Sequence, residues 1–148
     1  MFMLCYMNYA ILHATRSSWS QATPDLEELY GFDTRVIARM NSTFLFFYAL
    51  GGFFISHLGD VYQKGKFICF MYSMIALVMI CLGCFQFIPA DKQKPWYFFV
   101  IKALNGGFQS CAWSVNFAIM CNWFPKKGRG LVIGIYGTCT SIGDIIGI

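Results

Sequence analysis

Five polar residues punctuate the first apolar stretch of the chain: Tyr9, His13, Arg16, Ser20 and Thr23 recur at i, i+4, i+7, i+11 and i+14. At helical periodicity they share a stripe about 80° wide. A guanidinium on such a stripe grips phosphate or carboxylate through two parallel hydrogen bonds, more strongly in a low-dielectric site than in water. The fourth apolar stretch repeats the pattern with Lys102, Asn105, Gln109, Trp113 and Asn116, again within about 80°. Two polar-striped helices imply a shared aqueous pocket. Its fixed charge, from Arg16 and Lys102, is positive, so the expected occupant is a small anion. Each residue also has a plainer use. Arg16 and Lys102 are both able to snorkel to the headgroups, Lys102 more readily because it lies close to Trp96. His13 can be a packing residue bonded to a neighbouring helix, and Trp113 can be core.

Composition dictates the setting of these stripes. Of 148 residues, 57% are hydrophobic and only 12% charged, against about 25% charged in a soluble domain. Phe67 to Ile88 carries no ionisable side chain beyond tyrosine and cysteine, and Trp96 to Phe124 carries only Lys102. Either exceeds the roughly 20 apolar residues that cross a bilayer as a helix. The expectation is an all-α membrane protein with about five transmembrane helices, at about 1–24, 39–58, 67–88, 96–124 and 131–148. In lipid a polar stripe must face protein or water, which places Arg16 inside a helix running on to Pro24. No basic region precedes the first apolar run, so it reads as a membrane helix and not a cleaved signal. The chain stops at Ile148 inside the fifth span, so a missing C-terminal remainder is expected.

The connections are Asp25 to Ala38, Gly59 to Lys66, Pro89 to Pro95 and Pro125 to Gly130. Lys64, Lys66, Lys126, Lys127 and Arg129 lie on the second and fourth, against Arg35, Arg39, Lys92 and Lys94 on or beside the other two. The positive-inside rule then puts the N-terminus and the second and fourth connections in the cytoplasm, and explains the net charge of +4 without nucleic acid. The glycosylation sequence Asn41-Ser42-Thr43 abuts the second span too closely to be used. All seven cysteines fall within apolar spans, where free cysteine packs as a small hydrophobe, so no disulfide framework is expected. Gly130, Gly134, Gly137, Ser141 and Asp144 share one face of the fifth span, and Gly52 with Ser56 one face of the second. These are the surfaces expected to bring helix backbones together. Asp144 is expected to be paired or functional.

The stretches STFLFFYALGGFFISHLGD and KALNGGFQSCAWSVNFAIMCNWFPKKGRGLVIGIYGTCTSIGDIIG resemble the N-terminal half of major facilitator superfamily transporters. More narrowly, they resemble the sugar phosphate exchangers, relatives of glycerol-3-phosphate/phosphate antiporters. The resemblance implies a partial N-terminal six-helix bundle whose first and fourth helices line the pathway. It implies exchange of a sugar or glycerol phosphate for inorganic phosphate, and location in the endoplasmic reticulum or another internal membrane. Arg16 and Pro24 reproduce the spacing of the family's phosphate-binding arginine and the proline eight residues on. Asn105, Gly106, Phe108, Gln109, Ser110 and Trp113 match its fourth-helix pattern. Tyr9, His13, Arg16, Lys102, Asn105, Gln109 and Trp113 are therefore the candidate substrate residues, and Asp60, Lys64 and Arg129 the candidate conformational loop residues. Departures are Val61 after the loop aspartate, Ser114 after the tryptophan, and Gly137 with Cys139 or Thr140 where relatives carry an asparagine and a histidine.

The missing histidine is what a non-transporting relative, or a transporter of another organic anion, would show. A remote alternative is a thiol oxidoreductase using Cys81-Leu82-Gly83-Cys84, although a thiol is activated at a helix N-terminus and this pair lies near a C-terminal end. No enzyme is expected, since neither a nucleophile and base nor a phosphate-cradling loop is present. His13 and His57 have no further ligand at metal spacing, so neither metal nor cofactor is expected. The expected partners are the anionic solute, organic or inorganic phosphate, and the lipid bilayer.

Overall fold

A computed structural model of the chain describes residues 1–87 and 94–148. Of the connection Pro89 to Pro95, only Lys94 and Pro95 fall within the described residues, and Ile88 also lies outside them. The protein is an all-α membrane protein. Among the described residues there are seven α-helices and no strand: α1 (Phe2–Tyr30), α2 (Thr34–Val61), α3 (Lys64–Gly83), α4 (Pro95–Gln109), α5 (Ala112–Trp123), α6 (Arg129–Gly137) and α7 (Cys139–Ile146). A 3₁₀ turn, Cys84–Phe87, follows α3. Of these, α2 and α3 are each long and apolar enough to cross a membrane. Most of the large apolar side chains of α2, among them Leu45, Phe46, Phe53 and Phe54, are exposed, as a lipid-facing surface requires, while Ile37 and Met40 are buried.

Two element boundaries around the first connection differ from the hydropathy reading. α1 does not stop at Pro24 but carries it internally, so Asp25, Glu27 and Glu28 are helical residues. The run Thr23-Pro24-Asp25-Leu26-Glu27-Glu28 is itself a helix-start sequence, with proline suited to a first turn and acidic residues favoured there. It therefore carries the helix on, and the first connection shrinks to Gly31–Asp33, with Gly31 left-handed at φ 62° after the helix end. α2 then begins at Thr34, five residues before the expected Arg39, because Asp33 caps it by accepting the Arg35 N–H at 3.3 Å.

The fourth and fifth spans are each broken. Between α4 and α5, Ser110 Oγ donates to the Gly107 carbonyl at 2.6 Å, and Cys111 Sγ lies 3.6 Å from that of Phe108. Between α6 and α7, Thr138 Oγ1 donates to the Ile135 carbonyl at 2.7 Å. Side chains that bond the preceding turn compete with the helical ladder, and both breaks sit at such residues.

The chain forms two compact units. One comprises Met1–Tyr30 with Trp113–Ile148, and the other Gly31–Ala112. In the first, α1 packs on α7 through glycine. A Cβ on Gly143 would strike the Ala10 carbonyl and approach His13 Cβ to 2.6 Å, and one on Gly147 would come within 2.8 Å of Ala14 Cα and Ser17 Cβ. In the second, α2 packs on α4 through Gly51, which faces Ser110 and Gly107, and Gly106, which faces the Phe44 carbonyl. At the glycines expected to do this, Gly52, Gly130, Gly134 and Gly137, an added Cβ would meet no heavy atom within 4 Å apart from their own helix and chain neighbours. The small-residue surfaces are present, but turned to neighbouring positions. α3 joins the second unit with Phe67, Ile68, Met71, Ile75 and Val78 buried, and Phe85 seals its end against Phe98, ring centroids 4.3 Å apart.

Candidate functional site

In the first unit, Tyr9, His13 and Arg16 all lie within α1. Asp144 of α7 reaches this helix. A carboxylate only accepts, so His13 Nδ1–H donates to its Oδ1 at 3.2 Å, and Ser17 Oγ donates to the same oxygen at 3.1 Å. The partner that Asp144 needed is thus a histidine and a serine 131 and 127 positions away in sequence. Arg16 is half-buried one turn beyond His13, and its carbonyl accepts the Ser20 hydroxyl at 3.3 Å. Ala10, Ala14 and Ser17 lie on the flank of the stripe that α7 covers, whereas Arg16 points about 100° away from Ser17 around the helix.

Aromatic rings close the other side of His13. The Tyr9 ring lies 5.1 Å from His13 and 5.2 Å from Trp113, and Trp113 stacks on Tyr136 at 5.1 Å with 29° between planes. Tyr136 is 0% exposed and 6.0 Å from Tyr9. Tyr9, His13 and Trp113 are therefore brought together. Tyr136 and Ser17 are the members that sequence reasoning missed. The one signal pointing to Ser17 was the need of an intramembrane carboxylate for polar neighbours. Tyr6, one turn before, bonds Thr138 Oγ1 at 2.8 Å, at the break between α6 and α7.

Lys102, Asn105 and Gln109 belong to the second unit, side by side on α4 and all buried. Gln109 Nε2 donates to Asn105 Oδ1 at 2.8 Å, and Asn105 Nδ2 faces Met79 Sδ at 3.6 Å. Lys102 does not snorkel outward: it is 6% exposed, its ammonium 5.7 Å from the centre of the Phe44 ring, within reach of a cation–π contact. Asp60 and Lys64 form a loose, exposed ion pair at 3.9 Å where α2 turns into α3. Arg129, in the first unit, donates through Nη2 to the carbonyls of Cys121 at 2.7 Å and Phe124 at 2.9 Å. It satisfies the C-terminal end of α5, a cationic cap on groups that have no helical partner. Cys81 and Cys84 are free thiols at the C-terminal end of α3, where the helix dipole does not favour a thiolate.

The family profile described as "Major Facilitator Superfamily" matches residues 2–148. Among curated proteins, the chain is 29% identical over 171 aligned positions to "Sugar phosphate exchanger 3" of Homo sapiens, covering 99% of this chain and 34% of that protein. It is 32% identical over 164 positions to "Putative glycerol-3-phosphate transporter 3" of Arabidopsis thaliana, covering 99% and 32%. With "Putative glycerol-3-phosphate transporter 1" of the same plant it shares 34% over 119 positions, covering 77% and 21%. The chain spans about a third of the length of the first of these relatives. No solved structure matches it.

Proposed function

The chain belongs to the Major Facilitator Superfamily, and from that premise we propose that it is part of a secondary transporter that exchanges an organic phosphate for inorganic phosphate. The names of its relatives, a sugar phosphate exchanger and glycerol-3-phosphate transporters, support that substrate class. The reading rests on the placement of Arg16 along α1, which the apolar run around it is taken to set deep in the bilayer. Arg16 is the central residue of the 29-residue α1, and Asp25, the first acid after the apolar stretch, lies nine residues on. Nine residues rise about 13 Å, close to half of a hydrocarbon core about 30 Å thick. A guanidinium at that depth is stabilised by an anion or by protein, and reaching the headgroups would require a long extension.

Arg16 is the phosphate ligand in this reading, bordered by Tyr9, His13 and Trp113. His13 keeps an imidazole beside the guanidinium although the fifth span has Gly137, Cys139 and Thr140 where relatives place polar ligands. Lys102, Asn105 and Gln109 are the polar candidates that α4 contributes, while Asp60, Lys64 and Arg129 act in the conformational change. Alternating exposure follows from rocking of helix bundles about a midplane site. The protein works without enzyme chemistry, and we place it in an internal membrane such as the endoplasmic reticulum, on the resemblance to eukaryotic exchangers. Those departures in the fifth span also favour a second reading, a relative that kept the fold and transports another organic anion or none.

The test is phosphate counterflow in proteoliposomes carrying the full-length protein that contains this segment. A bidentate charge-assisted contact is worth about 3 kcal/mol, so Arg16→Ala should weaken phosphate binding about 100-fold, with Arg16→Lys intermediate. Folded, full-length protein that is inert to every organic phosphate, or Arg16→Ala with unchanged affinity, overturns the exchange reading.

A further inference from the structure

The chain turns from α2 into α3 over two residues, Tyr62 and Gln63, and the helices leave a groove of about 570 Å³ at that turn. Its wall is largely apolar. Leu58 comes from α2 and Phe67, Phe70 and Met71 from α3, while the Tyr62 ring lies parallel to that of Phe67, centroids 6.5 Å apart and 3° between planes. Lys66 stands at the same groove, in the first turn of α3. Lys64 is taken up by Asp60 at 3.9 Å, whereas among the described residues no carboxylate pairs with Lys66. We propose that this groove binds one anionic glycerophospholipid, its phosphate on the Lys66 ammonium and an acyl chain along Leu58, Phe70 and Met71.

The place of the groove along the helices selects a lipid. No Asp, Glu, Lys or Arg occurs from Met40 to Gly59 or from Phe67 to Phe87, so the charges of this turn end where the groove begins to enter the apolar runs. Phe70 and Met71 stand four and five residues past Lys66, about 6–7.5 Å deeper along α3. The exposed apolar surface then continues. Phe54, one turn before Leu58 on α2, is 72% exposed, and Leu77, two turns past Phe70 on α3, is 51% exposed. Side chains one and two turns apart share a helix face, so a chain that leaves the groove stays on hydrocarbon. A free phosphate would be offered one cation above an apolar wall, and a neutral lipid would leave that cation without a counter-charge. The turn holds two lysines against one aspartate, and basic pockets between membrane helices take anionic headgroups. All of these residues belong to the second unit, and the site stands independently of Arg16 and of the exchange reading.

The test uses the full-length protein that contains this segment, stripped of lipid in detergent and titrated with phosphatidylserine or phosphatidylcholine of identical acyl chains, bound lipid being counted by native mass spectrometry. One basic side chain at an anionic headgroup is worth about fivefold in affinity. Lys66→Gln should therefore lower phosphatidylserine affinity about fivefold and phosphatidylcholine affinity far less, with Lys66→Arg keeping the preference. Phe70→Ala should weaken both lipids, since it removes acyl contact whatever the headgroup. Both side chains are exposed, so neither substitution opens the core. A phosphatidylserine with a photoactivatable acyl chain should label Leu58 or the stretch Phe67–Met71. Labelling that falls on neither, as when a helix from the rest of the polypeptide fills the groove, overturns the proposal. So does unchanged phosphatidylserine affinity in Lys66→Gln, or displacement of the lipid by inorganic phosphate alone, which would mark a site for free anions.

Discussion

Gly143→Ala tests the packing on which the site depends. The added Cβ would sit 2.6 Å from His13 Cβ and closer still to the Ala10 carbonyl, whereas ordinary contact begins at 3.4 Å. Opening even the His13 contact to that distance moves α7 from α1 by about 0.8 Å, and the obstruction is backbone, which cannot swing aside. The 3.2 Å bond from His13 to Asp144 would then lengthen to about 4 Å, beyond hydrogen-bond reach. Overpacking of this kind costs about 1–3 kcal/mol. Gly134→Ala on α6 is the matched control: nothing lies within 4 Å of its Cβ, and glycine-to-alanine in an open helical position stabilises by about 0.5–1 kcal/mol. Thermal unfolding of both variants in the same detergent should place Gly143→Ala below the parent and Gly134→Ala at or above it. Equal stability of the two, or the reverse order, would refute the assignment of the α1–α7 contact to Gly143.

Two further outcomes follow from single contacts. Gly106→Ala, whose Cβ would strike the Phe44 carbonyl, should destabilise the α2–α4 pair by about 1–3 kcal/mol, read by chemical unfolding, whereas Gly52→Ala, with nothing nearby, should not. Arg129→Ala removes donors to two carbonyls at the end of α5 and should cost about 1.5–3 kcal/mol in thermal unfolding, with phosphate affinity altered far less than by Arg16→Ala.

The polar stripe of α1 was legible because helical periodicity maps spacing onto direction, and Tyr9, His13 and Arg16 needed nothing else to be placed on one side. The helix breaks were not. Hydropathy runs unbroken through Ser110-Cys111 and Thr138, where Ser110 and Thr138 hydroxyls bond the preceding turn. Pro24 misled for the opposite reason: its power to end a helix was outweighed by the helix-start sequence that follows it.

The sequence alone determined that the chain lies in a membrane, since so few charges over such long apolar runs leave no other stable solution, and that Asp144 must find a polar partner. Only the tertiary structure decided which partner. Membrane helices are rotated and set in register by the close approach of their backbones, and here that approach is made at Gly143 and Gly147, not at Gly130, Gly134 and Gly137. That rotation, invisible to periodicity along one helix, is what brings a carboxylate to His13 across 131 positions of chain.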